Sequence, residues 1–116
     1  MGSESLRIEI YFTGGCPNRH TTAERVKEVL KELNITGEVR EVRVDPTLAS
    51  ALGFLGSPTV HVNGIDIEAS ARTSNRVGVM CRTYRDGAHI EGAPSKHLIR
   101  QAILDTVNPL RKTADE

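Results

Sequence analysis

The sequence predicts an α/β domain, a mixed sheet flanked by helices on both faces in the order β-α-β-α-β-β-α. Three features carry that expectation: an alternating apolar run near the start, a helical apolar stripe after a Gly-Gly break, and an Asn-Gly hairpin signal in the second half. A strand, a helix and a second strand in succession form a right-handed crossover. The first helix then lies on the sheet, with its N-terminus at the carboxyl end of the first strand.

Leu6, Ile8, Ile10 and Phe12 alternate with Arg7, Glu9 and Tyr11, the period of a strand with one buried face. Gly14-Gly15 breaks that strand. From Pro17 the period becomes helical: Ala23, Val26, Val29, Leu30 and Leu33 form one stripe, and Glu24, Lys27, Glu28, Lys31 and Glu32 form the wet side. Proline suits a first helical turn, because the N–H it lacks would find no partner there, and this makes Cys16 the expected N-cap. A second strand over residues 38–44 carries Val39, Val42 and Val44. Asp45-Pro46 opens a short helix ending near Gly53.

Ser57 to Val62 forms a third strand entered through Pro58, and Asn63-Gly64 turns the chain into Ile65-Asp66-Ile67. Residues 69–75 are polar and unpatterned, residues 77–84 suit an extended piece, and Asp86-Gly87 suits a turn. Pro94-Ser95 opens a last helix whose Leu98, Ile99, Ala102, Ile103 and Val107 face the core. Asn108-Pro109 stops it, and the charged tail beyond is expected to fray. The chain, residues 1–116, is expected to be one domain with its core between residues 6 and 107.

Composition narrows the function. With no Trp, two Phe and two Tyr, the core must be aliphatic. Fifteen basic residues balance fifteen acidic ones, so no net field draws nucleic acid, and the aromatic platforms on which single-stranded bases stack are missing. No segment is apolar over the length a bilayer requires, and the polar start runs straight into a strand pattern. Two cysteines do not make a disulfide scaffold. The expectation is a cytoplasmic protein with neither nucleic-acid nor membrane partners.

Cys16 stands apart from these patterns. A thiol at a helix N-terminus meets unpaired N–H groups and the positive end of the helix dipole, and both favour the thiolate. Gly14 and Gly15 let the chain turn and leave the sulfur uncovered, while Arg19 and His20 add positive charge in the first turn. Free cysteine is more often buried and inert, but a Gly-Gly loop before a proline is not a core position. Neither Cys-x-x-Cys nor His-x-x-x-His occurs, and neither a glycine-rich phosphate loop nor a Gly-x-Ser-x-Gly elbow. No metal and no cofactor is expected. His61, between Val60 and Val62, suits a hydrogen-bonded sheet histidine, and His89 and His97 have no partner at metal spacing.

Over residues 6–107 these pieces resemble the thioredoxin superfamily. The residues that carry the resemblance are Cys16-Pro17-Asn18-Arg19 at the strand-to-helix loop and Gly56-Ser57-Pro58-Thr59-Val60 ahead of the hairpin. More narrowly, the stretch from Tyr11 to Asn18, Gly53 to Thr59, and Cys81-Arg82-Thr83-Tyr84 are similar to a bacterial group of small thioredoxin-like proteins. Some of that group carry selenocysteine at the position of Cys16, and some are labelled as related to alkylmercury lyases. The resemblance implies a cis Pro58 packed against the active sulfur, and Ser57 backbone groups offered to a bound thiol or peptide. Pro17, Arg19 and His20 complete the expected substrate-binding set.

One departure from the superfamily shapes the chemistry. The second cysteine, three residues after the first, is here Arg19. A local dithiol is excluded, which leaves mixed disulfide exchange or peroxide reduction through a sulfenic acid. Arg19 either stabilises a sulfur anion or a bound carboxylate, or stands as a solvated first-turn arginine. Cys81 is either a distant resolving thiol for Cys16 or a small core residue. The expected partner is a thiol or peroxide substrate, with glutathione or a partner protein among the choices. The alternative is a non-catalytic binding module for a thiol ligand, a soft metal such as mercury, or a partner protein.

Overall fold

The computed structural model describes residues 6–45, 47–48, 56–68 and 82–108. Its elements are β1 (Leu6–Phe12), α1 (Arg19–Leu33), β2 (Gly37–Arg43), β3 (Thr59–Val62), β4 (Ile65–Asp66), β5 (Tyr84–Asp86), β6 (His89–Glu91) and α2 (Lys96–Val107). Most of the expected helix after Asp45, the polar stretch 69–75, the piece before Arg82 with Cys81, and the tail beyond Asn108 lie outside the described residues. At the start of that helix the Asp45 carboxylate accepts the Leu48 N–H at 2.8 Å, a capping bond.

Four strands form one sheet in the order β2-β1-β3-β4. β1 and β2 run parallel, from Leu6 opposite Gly37 to Phe12 opposite Arg43, and β3 returns antiparallel with Val60 opposite Ile10. The mixed sheet thus follows from one crossover and one hairpin. At the β3–β4 turn Asn63 and Gly64 both take positive φ, 50° and 86°. A two-residue hairpin of this hand needs that conformation, which Asn and Gly adopt at least cost.

Alternation assigns the two faces. Ile8, Ile10, Val60 and Val62 point to one side, where Ala23, Val26 and Val29 of α1 and Ile99, Ala102 and Ile103 of α2 cover them. Val26, Val29, Ile99 and Ile103 have no accessible surface, and each such side chain contributes about 1.5–3 kcal/mol by leaving water. Both described helices therefore pack on the same face. On the other side Tyr11 and Val44 form a smaller cluster with Val42 and Leu48. The register also places Glu9 opposite His61, and His61 opposite Asp66, on this second face.

Three local features differ from the sequence reading. Helix α1 begins at Arg19 with Asn18 as its N-cap, so Cys16 is not the cap but lies two residues outside it. A turn closed by the Cys16 N–H donating to Thr13 O at 3.1 Å keeps Cys16 in the loop, and the first helical bond of α1 runs from the Thr22 N–H to Asn18 O. Second, β5 and β6 pair across Gly87 in a separate two-stranded sheet ahead of α2. Arg85, His89 and Ile90 are all exposed, and no alternating pattern announces strands this short. Third, β4 stops at Asp66, one residue short of Ile67, with Ile65 exposed and Asp66 buried. The closing helix is as expected, with the Ser95 hydroxyl accepting the Leu98 N–H at 3.1 Å as its cap.

Candidate functional site

The β1–α1 loop and the entry to β3 meet in a small open cavity lined by residues 13–18 and Ser57. Cys16 is partly exposed there and bonded to no other cysteine. One hydrogen bond ties the two sides together, the Thr13 N–H donating to Ser57 Oγ at 3.1 Å. Gly15 takes φ 81°, a conformation that side chains rarely adopt, and it lets the loop double back before Cys16. Gly14 serves a different need. A β-carbon on it would lie 2.7 Å from Arg43 Nη2, so the Arg43 guanidinium rests on the loop backbone at Gly14.

Of the expected binding residues, Pro17 and Ser57 line this cavity. Pro58 is buried, and the Ser57–Pro58 peptide bond is cis. Arg19 and His20 do not line it. Arg19 Nε donates to Glu41 Oε1 at 2.8 Å, and its guanidinium lies 3.9 Å from the centroid of the Phe12 ring. His20 is exposed and pairs with Glu24 at 3.1 Å, a helix-surface contact one turn along α1. Cys81 falls outside the described residues.

The entry to β3 stands on a buried polar platform. Arg82 donates its backbone N–H to Ser57 O at 3.0 Å. Its guanidinium donates to both Asp66 oxygens at 2.8 Å, to Thr59 Oγ1 at 3.1 Å and to Glu68 Oε1 at 3.1 Å. The Tyr84 hydroxyl donates to Pro58 O at 2.5 Å, and the Thr59 hydroxyl to Gly56 O at 2.5 Å. Every buried side-chain nitrogen and oxygen among the described residues finds a partner.

Electrostatics fits this geometry. Burial opposes the charge on Arg82, but its hydrogen bonds to Asp66 and Glu68 outweigh burial and hold it protonated. Burial pushes the Tyr84 phenol far above its usual range, which keeps it a neutral donor. Beside them, burial pushes the His61 imidazole down, against the pull of Asp66 and Glu9. The Tyr11 and His61 rings meet edge-on, with centroids 5.2 Å apart. His61 is thus packed into the sheet.

Sequence reasoning passed over Asn18, Arg43, Asp66 and Arg82. Asn18 carried a readable signal, as one of the residues best suited to cap a helix. Asp66 carried another, a carboxylate between two isoleucines in a short strand. Arg82 follows an unpatterned stretch and carried none. No helix among the described residues is long and apolar enough to cross a membrane, and no group of His, Cys, Asp and Glu among them is placed to hold a metal ion.

Residues 6–67, just over half of the chain, match the family model described as a thioredoxin domain. No curated protein matches the chain. The matched span runs from the start of β1 to the residue after β4, and it contains the whole cavity of Cys16.

Proposed function

The chain belongs to the thioredoxin domain family, and from that premise we propose that it is a thiol redox protein working through the single thiol of Cys16. The observation that supports this reading is a partly exposed, unpaired Cys16 in a cavity shared with Ser57. Arg19, at the position a dithiol partner would occupy, is turned onto Glu41 and Phe12.

In the proposed cycle the Cys16 thiolate attacks one sulfur of a substrate disulfide. A Cys16–substrate mixed disulfide forms, and the other half leaves as a thiolate. An external thiol such as glutathione then attacks the substrate sulfur, forms a new disulfide with it and releases the Cys16 thiolate. With a hydroperoxide, Cys16 takes the distal oxygen as a sulfenic acid and the alcohol leaves; one thiol then forms a disulfide with release of water, and a second thiol frees Cys16. Ser57 Oγ accepts from Thr13 but keeps its own proton, which it can donate to the bound substrate. A reducing compartment, the cytoplasm, suits a cycle driven by free thiols.

The test supplies the reduced protein with a glutathionylated peptide or a hydroperoxide, with glutathione as reductant, and weighs the adduct trapped at Cys16. Turnover in the parent and none in Cys16→Ser is the expected result. Cys81→Ser then separates the two thiols of the sequence. Unchanged turnover keeps the single-thiol cycle, whereas lost turnover with an accumulating Cys16 adduct makes Cys81 the resolving thiol. A parent that turns over neither substrate, while Cys16→Ser still binds a thiol ligand or a partner protein, would make the domain a binding module.

A further inference from the structure

Resting on the reading of Cys16 as the reactive thiol, the geometry points to Asn18 and Gly92 as a pair of positioning residues that set the conformation of its loop. Asn18 caps α1 with its backbone alone. Its carbonyl accepts the Thr22 N–H at 3.1 Å and the Thr22 hydroxyl at 2.8 Å, while its side chain makes no capping bond. That is unusual work for a residue whose side chain normally satisfies a free N–H at this position. The carboxamide instead lies against Gly92, in a residue that lines the Cys16 cavity. A β-carbon on Gly92 would come within 3.0 Å of Asn18 Cγ and nearer still to its Nδ2.

Gly92 is held in place from both sides. Arg25 Nη1 and Nη2 donate to Glu91 Oε1 and Oε2 at 3.1 and 2.7 Å, and Nη1 also donates to Pro94 O at 3.0 Å. The helix that Asn18 caps therefore fixes, through Arg25, the stretch of backbone on which Asn18 rests. Gly92 does not sit in the left-handed region, so its backbone conformation admits other residues. What requires glycine is the space taken by the Asn18 carboxamide. A larger residue displaces the free end of a side chain, which costs the fold little, and the displacement falls on the loop that presents Cys16.

Gly92→Ala in the full chain tests this, read by the rate of Cys16 alkylation with iodoacetamide as a function of pH. The expected result is a folded protein with a melting temperature close to the parent's, and an alkylation profile displaced several-fold in rate. In an Asn18→Gly background, which removes the overlap and takes no side-chain cap from the helix, the same Gly92→Ala change is expected to leave the profile where Asn18→Gly alone puts it. An unchanged profile, or an equal displacement in both backgrounds, overturns the pairing. An unfolded Gly92→Ala protein overturns it too, because the overlap would then lie with more than a movable side chain. Alkylation needs an accessible thiol but no turnover. Absent turnover with this coupling intact counts against the redox cycle alone, and turnover without the coupling counts against the pairing alone.

Discussion

The two walls of the Cys16 cavity are built in opposite ways. Behind Ser57 and Pro58 stands a buried network in which Arg82 binds Asp66 and Thr59, and Tyr84 and Thr59 donate to the Pro58 and Gly56 carbonyls, with the Arg82 and Asp66 side chains only 7% and 6% exposed. The thiol loop is held by lighter contacts: the turn bond from Cys16 to Thr13, Arg43 resting on Gly14, and Asn18 resting on Gly92. The Arg19–Glu41 ion pair at the start of α1 is partly in water. A buried, satisfied network is stiff and costly to break, whereas an exposed contact exchanges readily with solvent. The fold thus sets a fixed ledge opposite a loop that has room to adjust around a sulfur.

The largest expected effect breaks the ledge. Arg82→Met takes the guanidinium from the buried Asp66 carboxylate, which keeps the Glu68 N–H at 2.9 Å but loses its charged partner, and removing one partner of a buried pair costs about 3–5 kcal/mol. Urea unfolding of the variant measures it, and a loss comparable to that of a surface pair would erase the contrast between the walls. Tyr84→Phe comes next. It leaves the Pro58 carbonyl without its donor, for about 1–3 kcal/mol in the same unfolding experiment.

A smaller effect depends on pH. The folded pKa of His61 is held down, first by burial, below the unfolded value of 6.5. The unfolded chain therefore binds the proton more readily, and stability falls as pH drops from that value toward the lower folded one. His61→Gln removes this component, so the difference between unfolding curves at pH 7 and pH 5 should shrink. The smallest effect sharpens the comparison from the other wall. Arg19→Gln dissolves an exposed pair and should shift stability by less than about 1 kcal/mol, with melting temperature as the readout.

How far the sequence spoke for itself follows the same division. β1, α1, the Asn63-Gly64 hairpin and α2 were legible because periodicity and turn chemistry are local, and each repeats or signals within a few residues. The place of Cys16 in the loop after β1 was legible because Gly14-Gly15 and Pro17 break those patterns around it. The ledge was not, since it joins Arg82 and Tyr84 to Asp66 and Pro58 across a stretch with no period, through strands too short to show one. Helix α1 was predicted with the wrong cap because Pro17 favours a first turn, while the turn from Thr13 to Cys16 holds both residues in the loop and delays the helix to Arg19. Arg19 was read from its place in the sequence alone. Its orientation depends on Glu41 and Phe12, neighbours that only the β1–β2 pairing supplies.

Ser57 belongs to both walls at once, accepting the Thr13 N–H on its hydroxyl and the Arg82 N–H on its carbonyl. Those two amides are separate clocks attached to one residue. In deuterium exchange each ticks at the rate at which its own wall opens, so the Arg82 amide should keep its proton long after the Thr13 amide has lost it. Filling the cavity with a bound disulfide should slow the Thr13 clock and leave the other nearly unmoved.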